Sequence, residues 1–256
     1  MSNVNSVGSN LTGYLYSSLS SGSRINSASN GASELAILQK QEREVGGFRA
    51  GTRNLESGQA AMNIADGAIS GITDSLQRMR ELAIQAGNGT LSDSDRSYIQ
   101  SEIDQLKQGI SEIAERTDYN GKKLLDNEDG AVIAMASDAN GTARSFGKVD
   151  ATLESLGIAD FDVTGDFDVA QIDQALSKVS EGRASIGASY NAFDAAIRGN
   201  NTVTYNTVSA QSRMGDTDYG DYIQKLKKQQ LLTDVSLQVQ KRQQEEKANR
   251  MGRFFE

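Results

Sequence analysis

Apolar residues recur every seven positions at Phe48, Leu55, Met62, Ile69 and Leu76. A second seam three residues further on carries Gly51, Gly58, Ala65, Ile72 and Met79. Alternating steps of three and four keep such residues on one side of a helix, so the spacing predicts a single long helix over 31–86. Large residues on one seam and small ones on the other let neighbouring helices approach closely. Gly87-Asn88-Gly89 then supplies a glycine C-cap. Ser92 restarts the helical pattern as an N-cap, with Asp93 and Asp95 in the first turn. Ile99, Ile103, Leu106, Ile110 and Ile113 continue the 4-3-4-3 spacing. A short connection between two such helices predicts an antiparallel pair.

The pattern changes over 119–165. Asp129-Gly130 and Asn140-Gly141 are turn signals, and Asn-Gly is a strong one for a hairpin. Val132-Ile133-Ala134-Met135 and Ala143-Arg144-Ser145-Phe146 flank the second turn, which predicts a small β-hairpin region. Asp168 then reads as the N-cap of a third helix running to about Met214. Ile172, Leu176, Val179, Ile186, Tyr190, Phe193 and Ile197 give it the same heptad spacing. Gly215-Asp216-Thr217-Asp218-Tyr219-Gly220 reads as a hinge-like break. A last helix over 221–251 carries Tyr222, Ile223, Leu226, Leu231, Val235 and Leu237, and its stretch 241–247 is wholly polar. At the other end, Leu11, Leu15 and Leu19 form one thin stripe in a segment rich in Ser, Asn and Gly. Such a stripe buries too little to offset ordering its backbone, so this arm is expected to be loose until a partner covers it.

The predicted fold is therefore mainly α: an elongated antiparallel helical bundle or coiled coil with a small β-hairpin region. The expected divisions are an N-terminal arm at 1–30, a helical rod at 31–214 with its hairpin at about 119–165, and a hinge and C-terminal helical arm at 215–256. The expected rod core comprises Phe48, Leu55, Met62, Ile69, Leu76, Ile99, Ile103, Leu106, Ile110, Ile172, Leu176, Val179, Ile186 and Phe193.

Composition sharpens this picture. The 256 residues include no Pro, Cys, His or Trp. Proline costs about 3 kcal/mol inside a helix, so its absence permits very long ones. Without His or Cys there is no Ser–His–Asp triad, thiol nucleophile or structural zinc site. The net charge of −8 argues against a nucleic-acid partner. No run of ~18 apolar residues is present, so no membrane insertion is expected. The first 15 residues have neither a basic start nor an apolar block, unlike a cleavable secretion signal. Asp216, Asp218 and Asp221 suggest a Ca²⁺ loop, but the glutamate that closes an EF-hand is missing. No metal and no cofactor are expected. Asn10-Leu-Thr12, Asn88-Gly-Thr90 and Asn140-Gly-Thr142 fit a glycosylation triplet, which is common by chance.

Five ordered motifs carry a family resemblance. They are Leu19-Ser-Ser-Gly-Ser-Arg24-Ile25-Asn26-Ser27-Ala28, Leu76-Gln77-Arg78-Met79-Arg80-Glu81-Leu82-Ala83, Tyr119-Asn120-Gly121-Lys122-Lys123-Leu124-Leu125, the stretch 180–188 around Arg183, and Ser212-Arg213-Met214-Gly215-Asp216-Thr217-Asp218-Tyr219. Together they resemble bacterial flagellin, in a short form without hypervariable outer domains. The N-terminal arm looks shorter than the family pattern, and the closing residues 246–256 depart from its apolar ending.

The resemblance implies a structural subunit of the flagellar filament, not an enzyme, assembling with other flagellin subunits for motility. It implies the D0 and D1 helical regions of that family, export to the outside of the cell without a cleaved signal, and an export chaperone on the C-terminal arm. Gly215, Asp216 and Asp218 take the place of the family's hinge. Gln77, Arg78, Leu82, Gln85 and Glu102 match positions at which the innate immune receptor Toll-like receptor 5 reads the family, with Leu82 expected to be exposed beside Arg78. The alternatives are a hook–filament junction protein, or a receptor-binding flagellin that polymerises poorly.

Overall fold

The computed structural model describes residues 2–126 and 131–252. The turn signal Asp129-Gly130 lies outside them, as do the last four residues of the divergent ending. The elements are α1 (Ser2–Ser21), α2 (Ala32–Ala86), α3 (Asp93–Arg116), β1 (Asp118–Tyr119), β2 (Lys122–Lys123), β3 (Val132–Ala136), β4 (Ala143–Gly147), α4 (Leu153–Leu156), α5 (Ala170–Gly215) and α6 (Tyr219–Gly252). The fold is mainly α, as the heptads predict. The chain divides into two units, Val45–Thr204 and Met1–Glu44 with Tyr205–Glu256. The divisions fall inside α2 and α5, whereas the sequence pattern suggested the chain breaks near 30 and 215.

In the unit formed by residues 45–204, side-chain pairs fix the directions of the helices. Arg80 meets Asp173 and Arg183 meets Asp66, while Asn200 reaches Thr52, so α5 runs antiparallel to α2. Arg78 meets Glu102 and Ile113 lies over Gly71, so α3 also opposes α2. Leu55, Met62, Ile69, Ile72, Leu76, Met79, Ile103, Ile110 and Ile172 are fully buried between them. Burying each such side chain stabilises the fold by about 2 kcal/mol. Ile99, Val179, Ile186 and Phe193 join the same core, and Leu106 and Leu176 pack half-buried against it.

Phe48 departs from its expected place. It is half-buried and outside this core, while Val45 is buried. The reason is reach: α3 ends at Arg116, soon after it crosses Gly71, and the hairpin that follows it along α2 presents only its turn backbone at Gly51 and Gly47, beside Phe48.

The small seam of α2 also behaves differently from a helix-packing groove. A Cβ on Gly51 would lie 2.4 Å from the Ser137 carbonyl oxygen, and one on Gly47 would lie 2.6 Å from Ala139 Cα. The backbone that approaches here is the turn joining β3 to β4. Those strands pair antiparallel from Val132↔Gly147 to Ala136↔Ala143, with Asn140-Gly141 in the turn. Asn200 Nδ2 donates to the Ser137 carbonyl at 2.7 Å, and Asn54 Nδ2 donates to the Ala136 carbonyl at 3.0 Å. Two helices thus hold the hairpin tip by its own carbonyls. At Gly58 the close neighbours are Phe193 and Met135.

Residues 119–165 hold more than one hairpin. Asn120-Gly121 joins β1 to β2, with positive φ at both residues. That is the geometry of a two-residue primed turn. Further on, Ile158, Phe161 and Val163 enter the core from irregular backbone.

In the other unit, α1 packs on α6. The expected loose arm is a helix here because α6 of the same chain supplies a partner. Of the predicted stripe, Leu15 is buried, Leu19 is half-buried and Leu11 is exposed.

Candidate assembly and recognition surfaces

Ser92 and Asp95 set the start of α3. The Ser92 hydroxyl accepts from the Asp95 N–H at 3.2 Å, and the Asp95 carboxylate accepts from the Ser92 N–H at 3.0 Å. This reciprocal capping box satisfies two otherwise orphaned donors. Hydrogen bonds from the Ser92 hydroxyl and then its N–H hold the Asp95 carboxyl below the usual carboxylate range. The cap positions Glu102 opposite Arg78 of α2. Arg78 Nε and Nη2 both donate to Glu102 Oε1, at 2.9 and 2.7 Å, and Nη1 donates to Glu81 at 3.2 Å. Bonds to Glu102 first and Glu81 second push the guanidinium above its ordinary pKa.

Gln77, Arg78 and Gln85 are exposed on this face, and Glu102 is half-exposed. Leu82 is not with them. It is only 3% exposed and belongs to the core. It lies three residues after Met79 and four before Ala86, which is the buried side of α2. The expectation of an exposed leucine beside Arg78 is therefore corrected. On this stretch of α2 Ile84 reaches solvent, at 54% exposure, as does Tyr98 one turn before Glu102 on α3.

A second surface lies on α6. Tyr222 is buried, and Leu226, Gln229, Ser236 and Gln240 are half-buried along one helical stripe. This is the stripe covered within the chain, and it turns polar after Leu226. Ile223, Leu231, Leu232, Val235, Leu237 and Val239 are exposed, with Leu231 at 64%. The apolar content of α6 is thus mostly outside the covered side.

Gly215, Asp216 and Asp218 lie at the break between α5 and α6. A Cβ on Gly215, the last residue of α5, would lie 3.1 Å from Leu38. The Ser212 hydroxyl donates to the Asp216 carboxylate at 2.5 Å. Asp218 accepts from the Asp221 N–H at 3.1 Å and so caps α6. Each of the two carboxylates thus has a local hydrogen-bond partner. Among the described residues, no group of three or more acidic side chains is placed to hold a metal ion. None of the described helices is long and apolar enough to cross a membrane.

Long antiparallel helices, with exposed apolar positions on α6, define a mainly helical protein with an apolar side left uncovered within the chain. The model of the bacterial flagellin N-terminal helical region matches residues 1–130, and that of the C-terminal helical region matches residues 169–249. The chain is 33% identical to the flagellar filament 30.7 kDa core protein of Treponema maltophilum, covering 86% of this chain and 84% of that protein. It is also 33% identical to a flagellin of Halalkalibacterium halodurans, over 85% and 82% of the two chains. The crystal structure of Bacillus cereus flagellin superposes with a TM-score of 0.52 at 30% identity, covering 58% of this chain and 88% of that one. The chain belongs to the bacterial flagellin family. It is a structural subunit of the flagellar filament, in a family that is not enzymatic.

Proposed function

We propose that this flagellin polymerises with copies of itself by burying the outward apolar side of α6. The observation that carries the reading is the exposure of Leu231, Leu232, Val235 and Val239 away from the stripe covered within the chain. Exposed apolar area of this kind marks a surface made for a partner. A second copy offers the same elements, and a head-to-tail contact that does not close produces an open filament. Before assembly the same side of α6 is the docking site for an export chaperone. The test is sedimentation and electron microscopy of the purified protein under polymerising conditions. The natural chain should pellet as filaments. Leu231→Asp combined with Leu232→Asp should stay in the supernatant with unchanged helicity by circular dichroism. Filaments from the double variant would overturn the proposed face.

The Arg78–Glu102 pair favours a second role on the α2–α3 face. Gln77, Arg78, Gln85 and Glu102 form a recognition surface for Toll-like receptor 5, to which the motif resemblance points. Arg78 is already oriented by Glu102, so a partner meets a composed charged patch at little ordering cost. Arginine on a rigid helix is a favoured hot spot. Affinity for the receptor ectodomain should fall about tenfold or more in Arg78→Ala. Unchanged affinity in both Arg78→Ala and Glu102→Ala would remove this surface from consideration.

A further inference from the structure

The two chain breaks of the unit formed by residues 1–44 and 205–256 meet each other. Ser23 and Asp216 form an isolated antiparallel bridge. The Arg24 N–H donates to the Gly215 carbonyl at 2.6 Å, and the Thr217 N–H donates to the Gly22 carbonyl at 2.9 Å. Side chains add to this. Arg24 Nη2 donates to the Met214 carbonyl at 2.7 Å, and the Ser23 hydroxyl donates to the Gly215 carbonyl at 3.1 Å. The Thr217 hydroxyl donates to the Ser18 carbonyl at 3.2 Å.

The acceptors explain the arrangement. Met214 and Gly215 end α5, and Ser18 lies in the last turn of α1. The last four carbonyls of a helix have no partner within it. Here the segment after α1 caps α5, and the segment after α5 caps α1. A guanidinium at the end of α5 also meets the negative end of that helix. Beyond the clasp, the Tyr14 hydroxyl donates to the Arg24 carbonyl at 3.1 Å and lies 3.0 Å from the Tyr222 hydroxyl. The phenol rings are 6.1 Å apart. This chain of contacts runs from α1 through Arg24 to both α5 and α6. Thr217 and Ser18 are buried within it.

The geometry points to a latch: Arg24 and its clasp couple the ordering of α1 to the ordering of α6, so that the two ends of the chain close or open as one element. Because each side caps the other, neither end gains its full set of hydrogen bonds alone. The coupling is reciprocal, as any linkage between two equilibria must be. It deepens the assembly reading above, since a latched end presents α1 and α6 to a neighbouring copy together.

Amide hydrogen exchange tests the latch in the soluble chain and in the pelleted polymer. The comparison uses the natural protein, Arg24→Ala, Arg24→Lys and Thr217→Val. Arg24→Ala should speed exchange about fivefold or more in both 10–21 and 219–230. Residues 55–110 should be unchanged. Thr217→Val, made on the other side of the clasp, should move the same two segments. Arg24→Lys should fall between natural and Ala, keeping the charge but not the planar fork. Effects confined to the element that carries the substitution would overturn the latch. So would no change in either segment, equal loss across 55–110, or natural ends unprotected in both soluble and polymeric protein. A natural chain that never forms polymer, but whose two ends respond together, would sink the assembly reading and leave the latch standing.

Discussion

Two glycines of α2 carry opposite messages for the same substitution. At Gly51 an added Cβ would lie 2.4 Å from the Ser137 carbonyl oxygen and 2.5 Å from its carbon. Those are backbone atoms held by Asn200, so they cannot give way cheaply. At Gly67 nothing lies within 4 Å of an added Cβ. Alanine is favoured over glycine by about 1 kcal/mol within a helix. Gly67→Ala should therefore raise stability by about 0.5–1 kcal/mol. Gly51→Ala should lower it by about 1–3 kcal/mol, because forced overpacking exceeds the helix gain. Thermal melts of the soluble chain read both, and a stabilising Gly51→Ala would refute the close approach of the hairpin tip. The heptad reading located the small seam correctly but not its occupant. Spacing reports which side of a helix is buried, not what covers it. The same blindness puts Phe48 in a core that stops short of it, where the hairpin offers only its turn. Leu82 was legible in principle, because its spacing from Met79 already put it on the buried side.

Periodicity does not reveal the α1–α6 pairing, because polar residues take much of the covered side of α6. Tyr14 and Tyr222 share a hydroxyl contact, Tyr16 accepts from Gln230, and the covered stripe of α6 is mostly Gln and Ser beyond Leu226. By contrast, the N-caps at Ser92 and Asp168 and the Asn140-Gly141 turn are legible, since each rests on a short-range hydrogen-bond pattern. The tyrosine pair gives the α1–α6 element a pH signature. Burial first, and then the hydrogen bond and charge of Tyr14, push the Tyr222 phenol up to about 12 from an ordinary value of 10.0. A group whose folded pKa is raised stabilises the fold fully below its unfolded pKa and loses that contribution as pH rises through the folded value. The contact between α1 and α6 should thus hold below pH 10 and weaken towards pH 12. Tyrosinate absorbance should reveal one late-titrating phenol in the natural chain. That late step should vanish in Tyr222→Phe, and its persistence there would assign it to another tyrosine.

At the scale of the molecule, the core is unevenly shared. Every buried residue of the main hydrophobic cluster lies from Leu55 to Phe193. In the unit formed by the two chain ends, the large buried apolar side chains among the described residues are Leu15, Ile25 and Tyr222. Stability within a protein follows such differences, and segments with little buried apolar area open at low cost. Unfolding of the soluble chain should therefore not be two-state. Limited proteolysis should remove the ends first and leave a resistant fragment close to residues 45–204, identifiable by mass spectrometry. In the polymer the same sites should be protected, because copies would then cover the apolar side of α6. Ends that resist cleavage in the soluble chain as well as the 45–204 fragment does would reject this account. The weakness of the ends is then the physical counterpart of their role: a face that was already satisfied within one chain would have little free energy left to gain from the next.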